Sequence, residues 1–147
     1  MEPRDIAIGL ARARIALGAV ALAVPGPVGR LMFGSDGSRP GMRLFARMIG
    51  GRDIALGLGV VIALDRGAPV RGWLEAGAFS DGVDFVACLL AGDDMPDTAR
   101  VGGAASAAGA ALAGIWLSRQ LDPPPAASPG HPEAAATGHS PERATSS

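Results

Sequence analysis

Four long apolar stretches constrain this fold more than any other feature of the sequence. They cover about residues 6–24, 43–64, 70–91 and 98–117, and turns rich in proline, glycine and aspartate separate them. None alternates polar and apolar residues as a half-buried strand does, so each is predicted to be a helix. Helices of this length measure roughly 28–33 Å, about the thickness of the hydrocarbon core of a bilayer. The sequence therefore predicts an all-α domain over residues 1–119, built as a bundle of four transmembrane helices.

A soluble bundle of four alanine-rich helices is the main alternative. Only the fourth stretch has a long uncharged run, residues 101–117, and the other three contain ionisable residues. A soluble helix needs a broad polar face, however, and the second and fourth stretches carry apolar or small residues on nearly every side. We therefore expect lipid, rather than water, around the bundle.

A cleaved signal peptide is a second alternative for the first stretch. Arg12 and Arg14 precede an apolar run that contains Ala21-Leu22-Ala23, which fits an A-x-A cleavage site. Acidic residues near the N-terminus disrupt the basic segment that such a peptide needs, and three more apolar stretches follow. We therefore expect the first stretch to be retained as a span.

Two tryptophans indicate the orientation of the bundle. Trp73 begins the third predicted helix and Trp116 closes the fourth, so both lie at one interface, as an aromatic belt predicts. The arginines are divided almost equally between the two sides, so the positive-inside rule separates the two orientations only weakly. We expect a multi-pass protein of the plasma membrane with both termini in the cytoplasm.

Small residues recur at four-residue intervals on two of the predicted helices. Such spacing allows helices to approach closely in lipid, although a chain with 22 glycines also produces it by chance. The positions predicted to pack helices together are Gly51, Gly57, Gly59, Gly102, Ser106 and Gly114.

Four positive and four negative side chains lie inside the first three predicted helices. An unpaired charge in a bilayer costs several kcal/mol, so these residues are predicted to face the interior and to pair with one another. Five of them lie roughly 12–16 Å from a helix end, near the midplane. This candidate charge cluster comprises Arg14, Arg52, Asp53, Asp81 and Asp84. The remaining three, which lie nearer the helix ends, are Arg12, Arg47 and Glu75.

The simplest pairing joins Arg14 or Arg52 to Asp81 or Asp84. Arg52 and Asp53 are adjacent, so they point about 100° apart on a helix, and Asp53 is left for another arginine. Two interpretations of the cluster stay open. It either fixes the register of the helices or lines a polar cavity for a proton, an ion or a small solute.

The segment GGRDIALGLG, followed by GWLEAGAFSDGVD, resembles a family of small four-helix bacterial and fungal membrane proteins classed as a domain of unknown function. The family pattern is a G-x-R-D-x-x-x-G segment on helix two with an aspartate on helix three. Here these would be Gly51, Arg52, Asp53 and Gly57, with Asp81 or Asp84. The resemblance covers roughly residues 6–117 and implies an integral membrane fold with no assigned activity.

The composition excludes several classes of function. A net charge of −1 gives no basic surface for nucleic acid. Lysine is absent, there is one cysteine, and both histidines lie in a Pro/Ala/Ser-rich tail over residues 120–147 that is predicted to be disordered. Schiff-base, Ser-His-Asp and Cys-His chemistry are therefore excluded, and we expect no metal and no cofactor.

Three functions fit what is left. The first is a non-enzymatic accessory or scaffold protein that forms a homo-oligomer or joins a larger membrane complex. The second is a small proton-coupled or polar-solute transporter, which at this size would act as an oligomer. The third is a membrane-bound redox partner, which would need a bound chromophore.

Overall fold

Five α-helices make up most of residues 2–122, the part of the chain that the computed structural model describes. Short 3-10 turns follow α2 and α4, and no strand occurs within these residues. The all-α prediction is confirmed, but the number of helices is five rather than four. The helices are α1 (Pro3–Ala23), α2 (Pro25–Phe33), α3 (Pro40–Asp65), α4 (Arg71–Leu90) and α5 (Asp97–Leu121).

Proline and glycine set most of the helix boundaries. Proline occupies the first position of α1, α2 and α3, where its missing N–H is not needed for an intrahelical hydrogen bond. Glycines with positive φ follow α2, α3 and α4, at Gly34, Gly67 and Gly92. Most other residues avoid this backbone conformation, so these positions end the helices.

The short helix α2 was not predicted. Sequence analysis treated Pro25-Gly26-Pro27 as a stop, whereas these residues form the first turn of a new helix. Both prolines lie where helical N–H groups have no intrahelical partner, so they are tolerated there. A Cβ atom on Gly37 would collide with the carbonyl group of Gly29, which shows how tightly the following 3-10 turn packs against α2.

The boundary of the C-terminal tail also differs from the prediction. Helix α5 continues through Gln120 to Leu121. Asp122 Oδ2 then accepts hydrogen bonds from the backbone N–H groups of Val70 (2.5 Å) and Arg71 (2.6 Å), at the start of α4. The two predicted tail histidines, His131 and His139, lie outside the described residues.

The four long helices pack as two pairs. Helix α1 packs along α3, and α4 packs along α5, whereas contacts between the pairs are fewer. The pairs meet in a small apolar core at the end of the bundle where α1 and α4 begin and α3 and α5 end. We call this the closed end, and the opposite end, which carries α2 and the 3-10 turns, the open end. The core residues are Ala7, Ala11, Val60, Ala63, Val70, Leu74 and Leu117.

Glycines allow close backbone approach within each pair. A Cβ atom on Gly50 would lie 2.6 Å from the carbonyl oxygen of Gly18, and one on Gly57 would lie 2.6 Å from that of Ala11. A Cβ atom on Gly114 of α5 would lie 3.1 Å from Ala78 Cβ of α4. These distances leave almost no room for a larger residue between the paired helices.

Half of the predicted packing positions make no such close approach among residues 2–122. Gly57, Gly59 and Gly114 contact a neighbouring helix, Gly59 through the ring of Trp73. Gly51 and Gly102 have no neighbouring atom within 4 Å of a Cβ, and Ser106 is exposed. Four-residue spacing does not indicate which face of a helix meets its partner. On α3, that face contains Gly50 rather than Gly51.

Two of the long helices have the length and apolar composition of membrane spans, α1 and α5. Two of the four predicted spans therefore have the length and composition that a membrane span needs. Helices α3 and α4 do not meet this criterion because they contain more charged residues. Helix α3 contains Arg47, Arg52 and Asp53, and α4 contains three acidic residues. Two apolar helices are weak support for a membrane protein, because core helices and signal sequences share these properties.

Candidate functional site

Arg14 lies at the centre of the contacts between α1, α3 and α4. Its Nη1 donates a hydrogen bond to Asp53 Oδ1 of α3 at 3.2 Å. Its Nη2 donates to Asp81 Oδ2 of α4 and lies 3.5 Å from the carbonyl oxygen of Gly77, one turn earlier in the same helix. A Cβ atom on Gly77 would lie 3.5 Å from Nη2, in ordinary van der Waals contact, so the guanidinium group packs directly against the backbone of α4.

Arg52 holds the second half of the network. Its Nη1 donates to Asp84 Oδ1 at 3.1 Å and its Nη2 to Asp84 Oδ2 at 2.7 Å, so the pair is bidentate. Nη2 also donates to Asp53 Oδ1 at 3.2 Å. Bidentate guanidinium–carboxylate pairs fix orientation as well as distance, so Arg52 sets the register of α3 against α4.

All five residues of the candidate charge cluster therefore join in one continuous chain. Arg14 pairs with Asp81 and Arg52 pairs with Asp84. Both pairs are among those predicted from the positions of these residues along their helices. Asp53 differs from the expectation, because it accepts hydrogen bonds from both arginines, including its neighbour Arg52. The long arginine side chain reaches back across the angle that separates adjacent helical positions.

The network carries one more negative charge than positive. Its three aspartates and two arginines give a formal charge of −1. Asp81 is the most buried member at 6 % exposure, while the Arg52–Asp84 pair is about one-third exposed. The second carboxylate oxygens of Asp53 and Asp81 accept no hydrogen bond from the described residues.

A cavity of about 700 Å³ opens beside the network, between the middle of the bundle and the open end. All five network residues line it, and they are the charged residues among its lining. The remaining wall is mostly apolar, with bulky side chains on one side and the small residues of α5 on the other. Its volume lies in the range of small-molecule binding sites. The bulky wall residues include Leu17, Phe33, Phe45 and Ile49.

The three secondary charged residues lie outside the network. Arg12, Arg47 and Glu75 are exposed. Glu75 pairs with Arg71, one turn earlier in α4, at 2.7 Å. Arg47 lines a second cavity, of about 310 Å³, near the open end with Arg30 and Arg43.

Sequence analysis missed two contributors to the site. The single cysteine, Cys88, lines the cavity, and a Cβ atom on Gly103 of α5 would lie 3.1 Å from its Sγ. The other contributor is the small-residue wall of α5. Cys88 falls on the same helical face as Asp81 and Asp84, which was the available signal, whereas nothing in the uniform composition of α5 marks its cavity face.

Within residues 2–122, no three His, Cys, Asp or Glu residues are arranged to hold a metal ion. The aspartates of the network face arginines instead, and one oxygen each of Asp53 and Asp81 and both oxygens of Asp84 are used in ion pairs. Comparisons with known proteins found no matching family model, no similar curated protein and no similar solved structure.

Proposed function

We propose that this chain is a non-enzymatic integral membrane protein whose four long helices cross the bilayer around a buried arginine–aspartate network. One observation carries the proposal: large apolar side chains face outward on all four helices, while the five residues of the charge network turn inward. Phe79 and Leu90 of α4, for example, are 76 % and 80 % exposed, whereas Asp81 of the same helix is buried.

The outward apolar surface fits lipid better than water. In α1 and α5, the two helices with the length and composition of membrane spans, only 22 % of the apolar segment is buried among the described residues. Exposure of a large apolar side chain to water forgoes about 1.5–3 kcal/mol relative to burial. An apolar surface that continues around a bundle is typical of contact with a membrane or with another protein.

The charges of α3 and α4 are compatible with membrane spans because most of them are paired. Arg14, Arg52 and the three aspartates turn toward one another rather than toward lipid. Charges inside a membrane occur in this arrangement, facing the bundle interior and pairing with one another. The resemblance of the G-x-R-D segment to that of small four-helix membrane proteins supports this proposal, in which the chain is an accessory or scaffold protein.

The proposed orientation follows from the tryptophans. Trp73 at the start of α4 and Trp116 near the end of α5 both lie toward the closed end and are each nearly half exposed. Helix α1 begins and α5 ends at the closed end, and we assign this side of the bundle to the cytoplasm.

A carbonate wash of membranes that carry a C-terminally tagged copy tests the proposal. Full-length protein retained in the pellet, with its intact mass verified, is the expected result. A soluble control protein expressed with the same tag should appear in the supernatant. Release of the tagged chain, or a mass that lacks the first helix, would overturn the four-span arrangement.

The cavity favours a second candidate function, a small transporter for a proton or a polar solute. Asp53→Asn, Asp81→Asn and Asp84→Asn separate the two functions. A structural network predicts lower protein abundance in each variant, because each substitution weakens a contact of the network. Asp53 contacts both arginines, and Asp81 and Asp84 are their partners on α4. A transport site predicts normal abundance with loss of a gradient-dependent activity. If all three variants kept both abundance and phenotype, the cluster would serve neither role.

A further inference from the structure

The geometry points to a ligand class for the cavity beside the charge network: a hydrophobic organic molecule with a single positive charge, such as an ammonium or a phosphonium. This inference rests on the proposed function, because it places the cavity inside a membrane. It goes beyond that proposal by naming the chemistry of what the cavity binds.

The charge of the cavity wall selects a cation. The charged groups lining the cavity are three aspartates and two arginines, so the wall has an excess of one negative charge. The Nη atoms of both guanidinium groups are already engaged by carboxylates, whereas Arg52 Nε is buried and has no partner within residues 2–122. The second oxygens of Asp53 and Asp81, by contrast, have no donor among the described residues, so they remain available to a positive group.

The membrane setting strengthens this selection. An uncompensated charge away from water is costly, and one monocation restores neutrality to the network. An anion would instead raise the excess negative charge of the network from one to two. Charges interact strongly where the surroundings are apolar, so the sign of the ligand's charge decides whether the ligand binds.

The apolar walls select a hydrophobic body for the same ligand. Leu17, Phe45 and Ile49 line one side and the alanines of α5 line the other. The cavity lies where the two helix pairs separate, between the network and the open end. A molecule that partitions into lipid reaches such a cavity from the bilayer. A strongly hydrated metal ion would instead lose its water shell and gain only the few carboxylate oxygens that the arginines leave free, fewer than the six or more that hard cations take.

Tetraphenylphosphonium is a suitable probe, and tetraphenylborate is its control of similar shape and opposite charge. The full-length chain is reconstituted in nanodiscs of neutral phosphatidylcholine, and binding is measured by equilibrium dialysis against empty nanodiscs. We expect saturable binding of the phosphonium at one molecule per chain and no binding of the borate above the level of empty nanodiscs.

Matched variants locate the binding. Asp53→Asn removes the excess negative charge while leaving the Arg14–Asp81 and Arg52–Asp84 pairs, and it should weaken phosphonium binding about tenfold or more. Glu75→Gln removes one carboxylate outside the cavity and should leave binding unchanged. Equal affinity of these two variants would overturn the inference.

Steric variants and the single cysteine provide a second readout. Ser106→Phe narrows the cavity and should abolish binding, whereas Leu112→Phe, on an outward face of the same helix, should not. The phosphonium should also slow alkylation of Cys88 by N-ethylmaleimide, and the borate should not.

Chain that is retained in carbonate-washed membranes but does not bind the phosphonium would refute the ligand class alone. Chain that is released would refute the membrane assignment.

Discussion

Replacing Arg14 by Met should destabilise the bundle more than any other single substitution in the charge network. Arg14 is the only partner of Asp81 among the described residues, and Asp81 is 6 % exposed. Asp53 keeps its contact with Arg52, so the loss falls mainly on Asp81. Removing one partner of a buried ion pair costs about 3–5 kcal/mol, because the other charge remains buried and unpaired.

The free energy of unfolding can be measured by titrating the purified protein from mild detergent into sodium dodecyl sulfate, with the fluorescence of the two tryptophans as the signal. Arg12→Met is the matched control. It removes the same side chain two residues earlier on α1, where the arginine is exposed and outside the network. Substitutions at such surface positions usually change stability by less than about 0.5 kcal/mol.

The double variant Arg14→Met/Asp81→Asn distinguishes an ion-pair effect from a packing effect. If the cost comes from an uncompensated carboxylate, neutralising Asp81 should restore most of the stability, and the two substitutions should be strongly non-additive. Equal losses for Arg14→Met and Arg12→Met, or simple additivity in the double variant, would refute this account of the network.

Three further predictions concern packing, capping and orientation. Gly50→Ala should cost about 1–3 kcal/mol by overpacking against Gly18, whereas Gly51→Ala, with open space around it, should be neutral or slightly stabilising in the same detergent titration. Asp122→Ala should cost about 1 kcal/mol by removing two hydrogen bonds at the start of α4, seen as a lower unfolding midpoint. Fluorescence of Trp73 and Trp116 should be quenched more by lipids brominated near the headgroup than by lipids brominated deep in the chain; the opposite order would remove the interfacial belt.

The long helices were predictable because their boundaries depend on local chemistry. Proline at the start of α3 and glycines after α3 and α4 mark their ends, and the observed bounds lie within a few residues of the predicted ones. Helix α2 was missed because Pro25-Gly26-Pro27 can end one helix or begin another. The choice depends on packing against Gly37, which lies eight residues beyond Gly29 and is not evident from local sequence.

The membership of the charge cluster followed from depth along each helix, whereas its exact pairing did not. Depth depends only on the rise per residue, and it grouped Arg14 with Asp81 across 67 positions of sequence. The double use of Asp53 depends on arginine rotamers, which the sequence does not specify. The packing faces of α3 and α5 were not predictable for a related reason. Alanine and glycine are spread so evenly around each helix that no polar stripe marks its orientation.

The separation of the bundle into two helix pairs has a mechanical consequence. The apolar core joins the pairs at the closed end and acts as a pivot, and the ion pairs lie farther along the helices. From Ala7 in the core, Arg14 is about 10 Å away along α1, and the last residue of that helix, Ala23, is about 24 Å away. Small changes in ion-pair spacing are thus magnified at the open end. An increase of 1 Å in the distance between the helix pairs at the network corresponds to about 2 Å at the open end. The ion pairs near the middle of the helices therefore set how far apart the two pairs lie at that end.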